Sequence, residues 1–364
     1  MTENFWKKAA ETISNAGSFP LLIGDTIIDL LKILLTEDQA KFIQVFNPPS
    51  LNIDQLKEKV DLDDQSLNEM LNGLMAGGII TGTQNSSGDM VYRLMSFFPG
   101  MFEFSLMKGE TGEKEKRLVR LFEKLFDDIS QMTKENYEQL APIFRQFPPI
   151  DRVVPVEREI DVKKDVVLPS EEASKLIDNN HEIAVAYCYC RHEKAVLNDP
   201  CKVKAPVENC LLLGKSAKFA IQYGFARSIS KDDAKKILHE AEDYGLVHKI
   251  FHAHQNPEKN IEGICSCCKC CCGTFQLHRR GAMPFHTRTS YIAIVVGENC
   301  TACGTCVEMC PMETIELEDN VVKINRDKCI GCGICAHHCD EDVLKLERTD
   351  PRNVFILPVK AIGN

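Results

Sequence analysis

The sequence predicts an α+β, multidomain protein: a helical N-terminal third with one small hairpin, a cysteine-rich α+β middle, and a small C-terminal domain built on a cysteine repeat. Three observations predict this. Residues 52–94 run helix, helix, hairpin; ten cysteines lie between Cys188 and Cys272 among mixed helical and strand patterns; eight more, from Cys300 to Cys339, form two copies of one motif. The 364 residues are ample for several cores. Changes in composition divide them into 1–105, a helical connector 106–150, a middle domain 151–288, a C-terminal domain 289–350 and a tail 351–364.

In the first segment Asn52 caps a helix carrying Ile53, Leu56 and Val60 on one face. Asp63 and Asp64 open a second helix, with Leu67, Met70, Leu71 and Leu74 at i, i+3, i+4 and i+7. Gly77 and Gly78 stop it, and Ile79 to Thr83 and Met90 to Leu94 read as a hairpin. This order is winged-helix-like and raises DNA binding. The charge argues against it: from Leu51 to Met95, Asp54, Glu58, Asp61, Asp63, Asp64, Glu69 and Asp89 outweigh Lys57, Lys59 and Arg93, and the second helix carries no Lys or Arg. A protein-interaction or structural role is expected for this segment.

Glu113 to Ser130 is an amphipathic helix with Leu118, Leu121, Phe122, Leu125, Phe126 and Ile129 as its apolar stripe. Pro148, Pro149 and Pro155 mark an extended linker. The middle domain begins with a helix from Ser170 to Asp178 and the run Ile183 to Ala186, which leads into Cys188 and Cys190. Ser230 caps a helix to Asp243, Gly245 stops it, and Leu246 to Phe251 returns as a strand.

The sequence from Met1 to Ala16 has no basic start followed by an apolar run, and Tyr291 to Val296 is far shorter than a membrane span. A cytoplasmic protein is expected, in which clustered cysteines are metal ligands or reactive thiols rather than disulfides. The formal charge is -10, from 43 basic and 53 acidic residues. This disfavours nucleic acid and points to soluble protein partners with basic docking surfaces. Neither a G-x-G-x-x-G nor a Walker A loop is present, so no nucleotide or flavin site is expected.

The C-terminal repeat is the strongest signal. Cys300-Thr-Ala-Cys303-Gly-Thr-Cys306-Val-Glu-Met-Cys310-Pro311 is followed 29 residues later by Cys329-Ile-Gly-Cys332-Gly-Ile-Cys335-Ala-His-His-Cys339, with Asp340 in place of the proline. Three cysteines at two-residue intervals let one loop serve three corners of a cubane, and in the two-cluster ferredoxin pattern the fourth serves the other cluster. By that rule Cys300, Cys303, Cys306 and Cys339 hold one [4Fe-4S] cluster, and Cys329, Cys332, Cys335 and Cys310 hold a second. Gly304, Gly331 and Gly333 let backbone come close to the sulfurs. Zinc ribbons use paired C-x2-C units instead. Two such four-thiolate sites take the formal charge from -10 to about -14.

Ten cysteines remain: Cys188, Cys190, Cys201, Cys210, Cys265, Cys267, Cys268, Cys270, Cys271 and Cys272. Cys265, Cys268 and Cys271 repeat the C-x2-C-x2-C spacing and are expected to hold one cluster with an upstream cysteine. Cys267 and Cys270 are expected to face away from them and to complete a second site. The spacing leaves three readings open: one further cluster, two or a larger fused cluster, or zinc with free thiols. Arg191 follows Cys190 and is a candidate donor to cluster sulfur. His192, His252, His254, His337 and His338 are weighed as ligands against the commoner surface or core role.

Cys188-Tyr-Cys190-Arg191, Pro206-Val-Glu208-Asn-Cys210-Leu211, the Cys265 to Gly273 run and the two C-terminal motifs together resemble the multi-cluster 4Fe-4S dicluster ferredoxin-type proteins of anaerobic bacteria and archaea, which carry a winged-helix-like N-terminal region. The resemblance implies an electron-transfer iron-sulfur protein with redox protein partners, and leaves the oligomeric state open. No nucleophile and base pattern accompanies it, so a non-catalytic carrier or an electron-transfer subunit is expected. The alternatives are an oxidoreductase with an open-site upstream cluster, reducing thiols or disulfides, and a redox-sensing winged-helix regulator.

Overall fold

The computed structural model describes residues 2–17, 23–85, 87–160, 167–252 and 261–358. His254, part of the hairpin turn (Ser86) and the tail residues 359–364 lie outside them.

Among the described residues the strands are β1 (Ser50–Asn52), β2 (Ile80–Gln84), β3 (Met90–Leu94), β4 (Asp151–Val154), β5 (Ile183–Tyr187), β6 (Glu208–Leu213), β7 (Arg227–Ser228), β8 (Val247–His252), β9 (Ile261–Cys267), β10 (Phe285–Val295), β11 (Ile315–Glu318), β12 (Val321–Ile324) and β13 (Leu344–Ile356). They form a three-stranded sheet β1-β3-β2, an eight-stranded sheet β13-β10-β4-β8-β9-β6-β5-β7, and the hairpin β11-β12.

In the N-terminal part, Asn52 and Gln55 cap the helix Ile53–Lys57 reciprocally, each side chain accepting the other's backbone N–H at 2.9 Å. That helix is shorter than its sequence pattern, because the chain turns after Lys57. Asp63 accepts the Ser66 N–H at 2.7 Å and starts the helix Asp64–Ala76, which buries Leu67, Leu71, Leu74 and Met75, while Met70 is half-buried. The helix Glu113–Glu135 runs one turn further than expected. Its Ser130 hydroxyl donates to the Arg280 carbonyl, and its Thr133 hydroxyl to that of Ala282 at 2.8 Å. Phe122 and Phe126 of this helix pack on Phe98 and Phe102, with centroids 4.8 to 6.2 Å apart, and Phe102 meets Tyr189 at 5.6 Å. This aromatic cluster carries the N-terminal core to the segment holding Cys188 and Cys190.

The proline-flanked segment is extended as expected, but it is an inner strand rather than a linker. β4 pairs in parallel with β10 and antiparallel with β8, and all four of its residues are buried. Its buried charges are matched: Lys249 donates to Asp151 at 2.7 Å, and Arg152 pairs with Glu171 and donates to Ser290 at 2.9 Å. β13 pairs with β10 from Phe285 to Val295 and crosses the expected boundary at 350, so residues 351–356 are strand. This pairing fastens the C-terminal domain to the large sheet.

Candidate metal centres

Each triplet of the C-terminal repeat occupies a loop followed by a short helix, Thr305–Met309 and Ile334–His337. The glycine before each helix is left-handed and nearly identical in the two copies, Gly304 at φ 83° and Gly333 at φ 81°. The loops bring Cys300, Cys303, Cys306 and Cys339 round one cavity, and Cys310, Cys329, Cys332 and Cys335 round another. Backbone N–H groups of Ala302, Thr314 and Ala293 donate to the sulfurs of Cys300, Cys310 and Cys329 at 3.4 Å each. At Gly331 (φ 62°) a Cβ would lie 2.2 Å from the Tyr291 carbonyl oxygen, so only glycine fits there. Four thiols per cavity, donors aimed at sulfur and side-chain-free backbone fit a [4Fe-4S] cluster in each.

The two cavities differ in exposure. Cys303 is exposed and Cys300 and Cys339 are half-buried, whereas Cys310, Cys329, Cys332 and Cys335 are all buried. Burial accordingly pushes the thiols of Cys329, Cys332 and Cys335 up, while the Thr305 hydroxyl holds that of Cys303 down.

The ten upstream cysteines divide four and six. Cys201, Cys268, Cys270 and Cys271 bring their sulfurs within 4.8 Å of one another. Cys188, Cys190, Cys272, Cys267, Cys265 and Cys210 form a continuous run of sulfur neighbours, closing with 3.9 Å between Cys210 and Cys265. The expected triplet of Cys265, Cys268 and Cys271 is therefore not brought together, and Cys270 joins Cys268 and Cys271 rather than facing away. The physical reason is the backbone. Cys265 and Cys267 lie on β9, where residues two apart share a face, and the chain then turns at 269–271 and carries the next cysteines elsewhere.

Two buried cations serve these groups. Arg191 is 1% exposed and donates to the Ser266 carbonyl at 3.2 Å and to the Asn209 side chain; burial opposes its charge, yet the thiolates of Cys188 and Cys268 hold its pKa above the ordinary value. Lys249 is opposed by burial and held charged by Asp151, with Cys272 and Cys267 also nearby. The Gly273 N–H donates to the Cys190 sulfur at 3.2 Å. In the four-cysteine group, the hydrogen bond shared with Cys268 brings Cys201 down to about 6 and neighbouring sulfurs push Cys268 and Cys271 up: four crowded thiols that cannot all ionise without a cation.

Of the histidines, His192, His337 and His338 have oxygen partners, and His338 also lines the outer ferredoxin cavity. The His192 ring contacts the Glu110 carbonyl at 2.7 Å, His337 lies 3.2 Å from Asp243, and His338 is 3.1 Å from the Glu242 carbonyl. Lys249 and Glu103 were not singled out by sequence. Lys249 sits between His248 and Ile250 on β8, and its burial comes from β4 and β9 on either side.

A family profile described as a 4Fe-4S dicluster domain matches residues 299–344. No curated protein and no solved structure matches the chain. No helix among the described residues is long and apolar enough to cross a membrane. The chain is thus an iron-sulfur protein of mixed α+β structure with a ferredoxin-type C-terminal domain.

Proposed function

We propose that the protein relays single electrons to or from a redox partner in the cytoplasm, using two [4Fe-4S] clusters and at least one further iron-sulfur cluster. Cys300, Cys303, Cys306 and Cys339 hold the first, Cys310, Cys329, Cys332 and Cys335 the second, and the six-cysteine run from Cys188 to Cys272 the third. Such clusters supply reversible one-electron chemistry.

The observation that carries this reading is the graded, continuous burial of the sulfurs. Cys303 is at the surface; Cys306, Cys310, Cys329 and Cys335 share one apolar cluster; Cys332 shares the next with Cys267 and Cys272 of the six-cysteine run. Arg279 bridges the two regions, donating to the Pro311 carbonyl at 2.6 Å. Asp340 and Glu341 beside the outer cavity suit a partner with a basic docking face. Residues 1–105 act as a winged-helix-like packing platform rather than a nucleic-acid reader. Anaerobic redox titration followed by EPR tests the relay: three or more one-electron centres are expected, and a protein with no reducible centre sinks it.

One observation favours the second reading, an oxidoreductase with an open-site upstream cluster. A cavity of about 130 Å³, walled by Phe98, Phe102, Glu103 and Tyr189, reaches all six cysteines of the run. Burial raises the Glu103 carboxyl to about 7, which suits a proton donor near neutral pH. Thiol release from a small disulfide by the reduced protein, lost in Glu103→Gln, supports that reading; no release leaves the carrier.

A further inference from the structure

The four-cysteine group and the ferredoxin cavities differ in one quantity that reports on what they hold. In Cys201, Cys268, Cys270 and Cys271 the sulfurs stand 3.8 Å (Cys201 to Cys268), 3.7 Å (Cys201 to Cys270) and 3.7 Å (Cys270 to Cys271) apart, and all four are within 4.8 Å of one another. Four thiolates bound tetrahedrally to one zinc at about 2.3 Å stand about 3.8 Å from each other by the geometry of the tetrahedron. A cubane separates its thiolates further, since two Fe-S bonds and an edge of the iron core lie between any two of them.

The molecule carries its own control. Among the described residues the eight ferredoxin cysteines form no group with sulfurs this close, although they are arranged in fours round two cavities. We infer that Cys201, Cys268, Cys270 and Cys271 bind one tetrahedral zinc ion and not a third cubane. The chemistry of the donors agrees. Four sulfur ligands favour a thiolate-seeking ion, and zinc outcompetes ferrous iron at such a site in the usual order of divalent affinities. All four positions belong to the protein, which is the closed arrangement of a structural zinc rather than a catalytic one.

The ion's role follows from where its ligands originate. Cys201 lies in the loop after the helix Tyr189–Val196, and the other three follow the end of β9. One zinc fastens these segments together, and Arg191, hydrogen-bonded to Cys268, offsets part of the four thiolate charges.

The test is metal analysis of the whole protein purified anaerobically, wild type beside Cys201→Ser. The expected result is one zinc per chain in the wild type, lost in the variant, with iron content and the EPR of the reduced clusters unchanged. Loss of iron from the variant, one or four per chain, overturns the inference. Should the variant fail to fold, zinc-edge X-ray absorption on the wild type decides. Four sulfurs at about 2.3 Å with no metal neighbour support the site, and a wild type without zinc overturns it.

Discussion

The C-terminal cysteines and the upstream cysteines solve the same problem by opposite routes. From Cys300 to Cys339 the proposed ligands come from two short loops of one repeat, and the crossing of the fourth cysteine is the single long-range element. From Cys188 to Cys272 they come from the start of a helix, a loop, two strands and a turn, so the sites exist only once the large sheet has assembled. Local sites are set by glycine and spacing; assembled sites are set by packing and by buried countercharge. Variants that separate the two routes test this difference.

The largest effect is expected for Arg191→Met. It strips the countercharge from the upstream thiolates and leaves Asn209 and the Ser266 carbonyl without their donor. A loss of roughly 3 to 5 kcal/mol follows from breaking a buried charge pairing. Denaturant unfolding should show it, with upstream iron lost and the C-terminal EPR signals retained. Equal loss of both signals removes the distinction.

Gly331→Ala should do the reverse. Its Cβ meets the Tyr291 carbonyl in a left-handed backbone, which costs about 2 to 4 kcal/mol. Iron should be lost from the C-terminal domain first.

Glu193→Gln reads the packing round the assembled sites through pH. Glu193 is 1% exposed, and burial raises its carboxyl from 4.5 to about 8 despite Lys194. The folded state therefore holds this proton longer than the unfolded chain. Its contribution is full below pH 4.5 and declines as pH rises to about 8. The glutamine variant should lose this slope and be the more stable form at pH 8. Parallel stability curves across that range contradict the assignment.

The smallest effect is expected for Thr314→Val, which removes a hydroxyl 3.4 Å from the Cys310 sulfur. One centre should shift slightly to more negative potential, since hydrogen bonds to sulfur raise it. Protein-film voltammetry should resolve the shift.

What could be read in advance follows the same division. The ferredoxin repeat, the Asn52, Asp63 and Ser230 caps and the amphipathic helix from Glu113 rest on neighbours within a few residues, and all are visible in the sequence. β4 reads as a linker in the sequence because its burial depends on β10, more than a hundred residues away. The C-x2-C-x2-C spacing of Cys265, Cys268 and Cys271 does not bring the three together, because its first member lies on a strand and the other two in the turn segment that follows. Cys201 reaches its partners across 67 residues of chain, a pairing that spacing cannot express.

The central claim, that the six-cysteine run from Cys188 to Cys272 holds an iron-sulfur cluster beyond the two ferredoxin ones, is tested most directly by iron and acid-labile sulfide per chain in protein purified without oxygen. At four iron per cubane, the account predicts more than about 8 iron. A value of 8 or fewer contradicts it.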